Sequence, residues 1–279
     1  MPPKISIVTP CYNMLTHLKR CVSSVGDQKV SLEHIVIDGN SSDGTKQWLQ
    51  EQKSIRWVSE KDNGMYDALN KGLFMTTGQV IGHLNADEQY LEGALKSIID
   101  FFDRHPEIDF VTADFLLVDK NGELIAFRKS FPLFWPFLFS NYLYAYTCTL
   151  FYRQKVTRHL KYDSDLKSVA DVDFVYELLK KGFKGAHLKK YIAAFTHTGN
   201  NLSEHPSSSI EMRTYKKKNL PAWFKIVNPI FKAGFFGARI FYGTLWNKGS
   251  IDYSLYQDRS LEERKRITVP KPSYKWVQK

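Results

Sequence analysis

Residues 34–50 read HIVIDGNSSDGTKQWLQ. Ile35, Val36 and Ile37 form an unbroken apolar run, the pattern of a strand covered on both faces. Asp38 closes the run, and Gly39, Asn40, Ser41, Ser42, Asp43 and Gly44 follow, all residue types that turns use. The helical segment SDGTKQWLQEQ comes next, with Ser42 or Asp43 as its cap. The unit is therefore strand, acidic turn, helix. At a strand's carboxyl end Asp38 can accept hydrogen bonds from a base N–H or from ribose hydroxyls, and Gly39 and Gly44 allow tight turns around such a ligand. A surface turn in which Asp43 only caps the helix is the other reading of the same residues.

The unit recurs on both sides. KISIVTP is a β-branched strand ended by Pro10, and Thr16 to Val25 is a helix with Leu18, Cys21, Val22 and Val25 on one face. IRWVSE is a third strand, MYDALNKGLFMTT a helix, GQVIGHLNADE a strand ending in acids, LEGALKSIIDFFDRHP a helix stopped by Pro106, and DFVTADFLLVD a further strand. This alternation predicts an α/β fold with a doubly wound, mostly parallel sheet, whose ligands bind beyond the carboxyl ends of the strands. Neither GxGxxG nor GxxxxGK[ST] occurs, so a phosphate-bearing ligand needs another handle. GHLNADEQY, residues 82–90, offers one. Asp87 and Glu88 at a strand end suit a hard divalent cation that grips a diphosphate. Acids in the first turn of the next helix would read the same way.

Composition narrows the class. The chain has 279 residues and 43% hydrophobic content, enough for a full core. Cys11, Cys21 and Cys148 have neither metal nor disulfide-scaffold spacing, and MPPKISIVTP is not a secretory leader, so the cytoplasm is the expected compartment. The net charge of +10 is uneven: residues 1–209 hold 24 basic and 24 acidic side chains, residues 210–279 hold 15 and 5. No zinc-ligand, RNP-like or helix-turn-helix pattern accompanies that charge, so nucleic acid is not an expected partner. An anionic membrane or a lipid-linked phosphate is.

SIVTPCYN, VIDGNSSDGT, SEKDNGMYDALNKG, TTGQVIGHLNADE and VADVDFVYELLKKGF together resemble, in order and spacing, the inverting family 2 glycosyltransferases of the GT-A fold, particularly bacterial cell-surface polysaccharide enzymes. The resemblance covers about residues 4–205 and is far more specific as a set than any one segment. It implies that Pro10, Tyr12 and Asn13 border the nucleotide pocket, that Asp38 contacts the base, and that Asp62 and the following turn line the diphosphate and sugar. It makes Asn85, Ala86, Asp87 and Glu88 the DXD-like element, with Asp87 and Glu88 holding Mn²⁺ or Mg²⁺, although the family often has Asp where this chain has Glu88. Asp171 matches the family's acceptor-side acid and is the expected catalytic base, with Asp173 its local rival. FTHTGNNLSEHPSSS, residues 195–209, resembles a flexible loop over the donor, where His197 would complete the metal coordination or touch the diphosphate.

These expectations define a GT-A domain over residues 1–209, its nucleotide half about 1–115 and its acceptor half about 116–209, followed by a basic amphipathic helical extension over 210–279. FPLFWPFLFSNYLYAYTCTLFYR is too often broken by Pro for a membrane span and reads as acceptor-side wall or as core. In the extension, Lys225, Lys232 and Arg239 recur every seven residues beside a wide apolar surface, which fits a helix pair lying in a membrane interface or packing on the body. The expected activity is metal-dependent, inverting transfer of a sugar from a nucleoside diphosphate sugar, a UDP-sugar first, to a hydroxyl of a glycan or lipid-linked acceptor, at the cytoplasmic face of the membrane. A sugar-nucleotide pyrophosphorylase would need a Gly-rich, Lys/Arg-containing loop in place of SIVTPCYNMLTHLKR, and a non-catalytic scaffold would need neither Asp87 nor Asp171.

Overall fold

The computed structural model describes residues 3–140, 143–144, 146–199, 201, 205–257 and 260–275. In chain order the elements are β1 (Ile5–Cys11), α1 (Leu15–Gly26), β2 (Leu32–Asp38), α2 (Thr45–Gln50), β3 (Ile55–Ser59), α3 (Met65–Met75), β4 (Val80–His83), β5 (Gln89–Tyr90), α4 (Ala94–Arg104), β6 (Phe110–Val118), β7 (Leu124–Arg128), α5 (Trp135–Ser140), β8 (Phe151–Arg153), α6 (Ala170–Lys180), β9 (Gly185–Thr196), α7 (Pro206–Asn219), α8 (Phe224–Phe241), β10 (Ile251–Gln257) and β11 (Ser260–Val269). The alternation read from the apolar runs is the alternation the chain adopts through β6.

One sheet runs in the order β3-β2-β1-β4-β8-β6-β9-β5, with β7 paired on β6. The first four strands are parallel to one another, while β8 runs antiparallel to both β4 and β6. Every residue of β1 is buried, which is why its sequence, Ser6 apart, is apolar or β-branched rather than alternating. The core is split by the sheet. On one face α1 and α4 bury Cys21, Val25, Leu95, Ile98 and Phe102 against β1 and β6. On the other, α3, α5, α6, α7 and α8 gather Leu69, Phe139, Phe174, Tyr215 and Phe235.

The aromatic stretch after Phe131 lies largely inside that second cluster, with Phe131, Leu138, Phe139 and Tyr144 buried; residues 141, 142 and 145 lie outside the described residues. Two expected divisions fall within elements: the 115/116 boundary in β6 and the 209/210 boundary in α7. The extension is helical only as far as Phe241 and then forms the β10–β11 hairpin. Ile251, Tyr253 and Leu255 of that hairpin close over Leu116, Val118 and Phe127. A reading by helical period missed it because IDYSLYQ alternates with a period of two.

Candidate active site

β1 lies between β2 and β4 in parallel register, Cys11 opposite Asp38 and Val8 opposite His83, so three carboxyl ends open on one edge of the sheet. The loops leaving those ends enclose a cavity of about 1150 Å³. Pro10, Tyr12, Asn13, Asp62, Asn85, Ala86, Asp87 and Asp171 all line it. Those eight residues come from four separate stretches of chain.

The turn after β2 is a clasp. Asn13, at φ 51°, accepts hydrogen bonds from Ser42 N at 2.8 Å and donates its backbone N–H to Ser41 Oγ at 2.7 Å. Asp43 accepts from Leu15 N at 2.9 Å, at the start of α1, and from Thr45 N and Oγ1 at the start of α2. Burial raises the Asp43 pKa, but these bonds together draw it below its ordinary value. Asp38 is fully buried. Its carboxylate accepts from Ser41 N, Ser41 Oγ and Ser59 Oγ and is not among the groups lining the cavity. The expected base contact thus stands behind the wall that its own turn builds. Gly39 lets that wall close: a Cβ there would lie 2.7 Å from Asp62 Oδ2.

Asp87 and Glu88 diverge. Asp87 lines the cavity, whereas Glu88 turns into the core, accepts from Asn85 N at 2.7 Å and lies against Cys148. Burial raises both carboxyls above their ordinary range; Arg20 opposes the rise at Asp87, and the charge of Asp87 adds to it at Glu88. His197 donates its backbone N–H to Val118 O at 2.7 Å and is not among the lining residues. Among the described residues no three His, Cys, Asp or Glu side chains cluster closely enough to cage a metal. The Asp87 carboxylate in a cavity sized for a nucleotide nevertheless fits Mg²⁺ or Mn²⁺, which keep waters and take phosphate oxygens alongside few protein ligands. Asp87 is the residue that would hold it.

Asp171 sits in the first turn of α6 and accepts from Val172 N at 2.8 Å. Burial pushes its pKa up to about 6, while the helix N–H groups and the Tyr66 hydroxyl keep it from rising further. Tyr66, buried on α3, also lines the cavity. Asp173 faces elsewhere and accepts a 2.5 Å hydrogen bond from Tyr215 of α7. The loop before Asp171 is fixed by Glu211 of α7, which accepts from Lys167 N, Ser168 N and Ser168 Oγ at 2.8, 2.7 and 2.6 Å.

A family model described as glycosyl transferase family 2 matches residues 6–161. The chain belongs to glycosyl transferase family 2. It is 25% identical over 232 residues to the chondroitin synthase of Escherichia coli, covering 81% of this chain and 32% of that protein. It is 23% identical to the minor teichoic acid biosynthesis protein GgaB of Bacillus subtilis, covering 66% of this chain and 22% of that one. The chain thus spans a third or less of the length of these two relatives. Its fold is that of S. aureus TarS 1–349 in complex with UDP-GlcNAc, at a TM-score of 0.60, 18% identity and coverage of 86% and 73%. It is also that of the mannosyltransferase PcManGT of Pyrobaculum calidifontis in complex with GDP-Man and Mn²⁺, at 0.58, 13%, 89% and 77%.

Within the family 2 match lie both β1 and the Asp87 loop; Asp171 and α7 lie beyond its end. Sequence reasoning missed Tyr66, Lys120, Arg213 and Lys216, all of which line the cavity. Arg213 and Lys216 are three residues apart in EMRTYKKKN of α7 and so share a helix face; counted as tail charge, they hid a cavity wall. His205 accepts from Ser207 N as the cap of α7. The part of the 195–209 loop at residues 200 and 202–204 lies outside the described residues. Its flanks, Phe195, Thr198, Asn201, Ser208 and Ser209, line the cavity.

Proposed function

We propose that the chain transfers a sugar, with inversion, from a nucleoside diphosphate sugar, a UDP-sugar first, to a hydroxyl of a glycan or lipid-linked acceptor in cell-surface polysaccharide synthesis. One observation carries this reading: a single strand-end cavity is shared by Asp87 and Asp171, two half-buried carboxyls, one from the loop after β4 and one from the first turn of α6. The nucleotide-bound folds of TarS and PcManGT support the donor class. Membership of family 2 supports the reaction class.

In this scheme Pro10, Tyr12 and Asn13 border the nucleoside, and Asp62, held by the Gly64 N–H at 2.9 Å, faces the diphosphate and sugar. A divalent cation held by Asp87 would offset the charge that develops on the departing diphosphate. Asp171 takes the proton from the acceptor hydroxyl as that oxygen attacks the anomeric carbon opposite the leaving group. The C1–O bond to the diphosphate breaks as the new glycosidic bond forms, which inverts the configuration without a covalent enzyme intermediate. Tyr66 and the α6 N-terminus hold Asp171 in place and keep its pKa within reach of neutral pH.

Localisation follows the same proposal. Among the described residues no helix is long and apolar enough to cross a membrane, and the reading places the enzyme peripherally at the cytoplasmic face. The test is a panel of UDP-, GDP- and dTDP-sugars, scored first for Mn²⁺-dependent binding and then for transfer to hydroxyl acceptors. A UDP-sugar that binds only with metal, is slowly hydrolysed, and is turned over faster with an acceptor is the expected result. Binding of none of them, with or without metal, would overturn the reading.

A further inference from the structure

Between Glu211 and Asp252 the chain carries eight Lys and Arg and no Asp or Glu. This is the segment of α7, α8 and the turn after them. α8 buries Phe224 and Phe235 against Trp135 and Phe137 of α5. The residues it turns outward are also apolar. Ile226, Ile230 and Phe241 are 82%, 71% and 82% exposed, and with Ala233, Gly237 and Ile240 they fall on one arc of the helix. Trp223 and Trp246, both half exposed, stand just before and just after the helix. Lys225 and Lys232 border the same face.

A helix apolar on both faces belongs in a core or in lipid. Spanning is excluded for α8 by Lys225, Lys232 and Arg239 within eighteen residues. Lying flat, it presents aliphatic side chains to acyl chains, tryptophans at the headgroup level and lysines to anionic headgroups. A second copy of this chain is the weaker occupant, because a two-fold contact through this face would oppose the segment's cations to themselves. An anionic lipid surface complements them.

Lys232 of α8 lies near Lys216 of the cavity wall. Arg213 and Lys216 line the cavity from α7, and α8 begins a few residues later. Burial first, and then the nearby charge of Lys232, hold the Lys216 ammonium below its ordinary pKa. A basic path therefore leads from the outward edge of α8 to the cavity wall.

We propose that the outward face of α8 seats the protein on an anionic membrane and that the acceptor reaches the cavity from that membrane past Lys232 and Lys216. The seat stands on α8 alone; the delivery route rests on the transferase reading. The experiment is flotation of the full chain with phosphatidylcholine vesicles, with and without roughly one third phosphatidylglycerol, at low and high salt. Quenching of Trp223 and Trp246 by brominated lipid is read in parallel. Binding to the anionic vesicles, at least tenfold weaker to neutral ones and salt-sensitive, is expected. Lys225→Ala and Lys232→Ala should each weaken it about fivefold. Ile226→Glu combined with Ile230→Glu should abolish flotation and quenching while UDP-sugar binding stays as in the wild type. Absence of wild-type flotation on anionic vesicles at low salt overturns the proposal, as does undiminished flotation of the double variant. A dimer that the double variant splits, with no vesicle binding by either, assigns the face to self-association. Flotation without any donor turnover upholds the seat and overturns the delivery route.

Discussion

In the proposed transfer, Asp171 is where the chemistry turns on a single pKa. Its folded-state pKa, about 6, lies above the ordinary carboxylate value because burial disfavours the charged form. A general base must be ionised, so the group is active above that pH and progressively protonated below it. kcat/KM should therefore be level near neutrality and fall by about tenfold per pH unit below about 6; a profile flat down to pH 4.5 would contradict the assignment. Gly39 gives a second residue-scale test. An added Cβ would lie 2.7 Å from Asp62 Oδ2 and 3.3 Å from a Tyr12 ring carbon, and overpacking of about 1 to 3 kcal/mol must be relieved by moving one of them. Gly39→Ala should weaken donor binding on the order of tenfold, by titration calorimetry, with the fold intact. Unchanged affinity would show that Asp62 does not touch the donor. At this scale the sequence was legible wherever a residue type has one natural use. Asp87 and Glu88 look alike in NADEQ; only the Asn85 N–H that captures Glu88 decides that one faces the cavity and the other the core.

Among the elements, those built on apolar runs could be read directly, because burial on both faces keeps runs such as residues 35–37 of β2 and 115–118 of β6 free of polar side chains. The β10–β11 hairpin could not. Its anchor is Arg264, which donates to Asp27, 237 residues away, at 2.5 and 2.8 Å, and to the carbonyls of Tyr90 and Ser254 at 2.8 and 3.0 Å. No local pattern announces a bond of that span. Arg264→Met would strip these acceptors of their donor. Since Asp27 remains partly in water, the cost should be about 2 to 3 kcal/mol, read as a lower urea midpoint for the whole domain. An unshifted global midpoint, with only residues 242–279 becoming protease-sensitive, would show that the hairpin is an appendage rather than part of the domain. α7 has a comparable double part: Glu211 fixes the loop before Asp171, while Arg213 and Lys216 face the cavity.

For the whole molecule, the parallel register of β1, β2 and β4 brings the loops that follow them to one edge, and α6 and α7 add Asp171, Arg213 and Lys216 to the cavity wall. Metal removal tests half of that arrangement: EDTA should abolish donor binding by the wild type, and Asp87→Ala should make binding weak and indifferent to Mn²⁺. Binding of equal strength in all four conditions would detach Asp87 from the metal. The central claim, that one cavity joins a metal-assisted donor site to an Asp171 base, is tested most directly by comparing donor binding with turnover in Asp171→Asn. The amide keeps the shape and removes the base, so Mn²⁺-dependent binding of the UDP-sugar should match the wild type while turnover falls by roughly two to four orders of magnitude. Turnover within a few-fold of the wild type, or loss of donor binding in a folded Asp171→Asn protein, would contradict it.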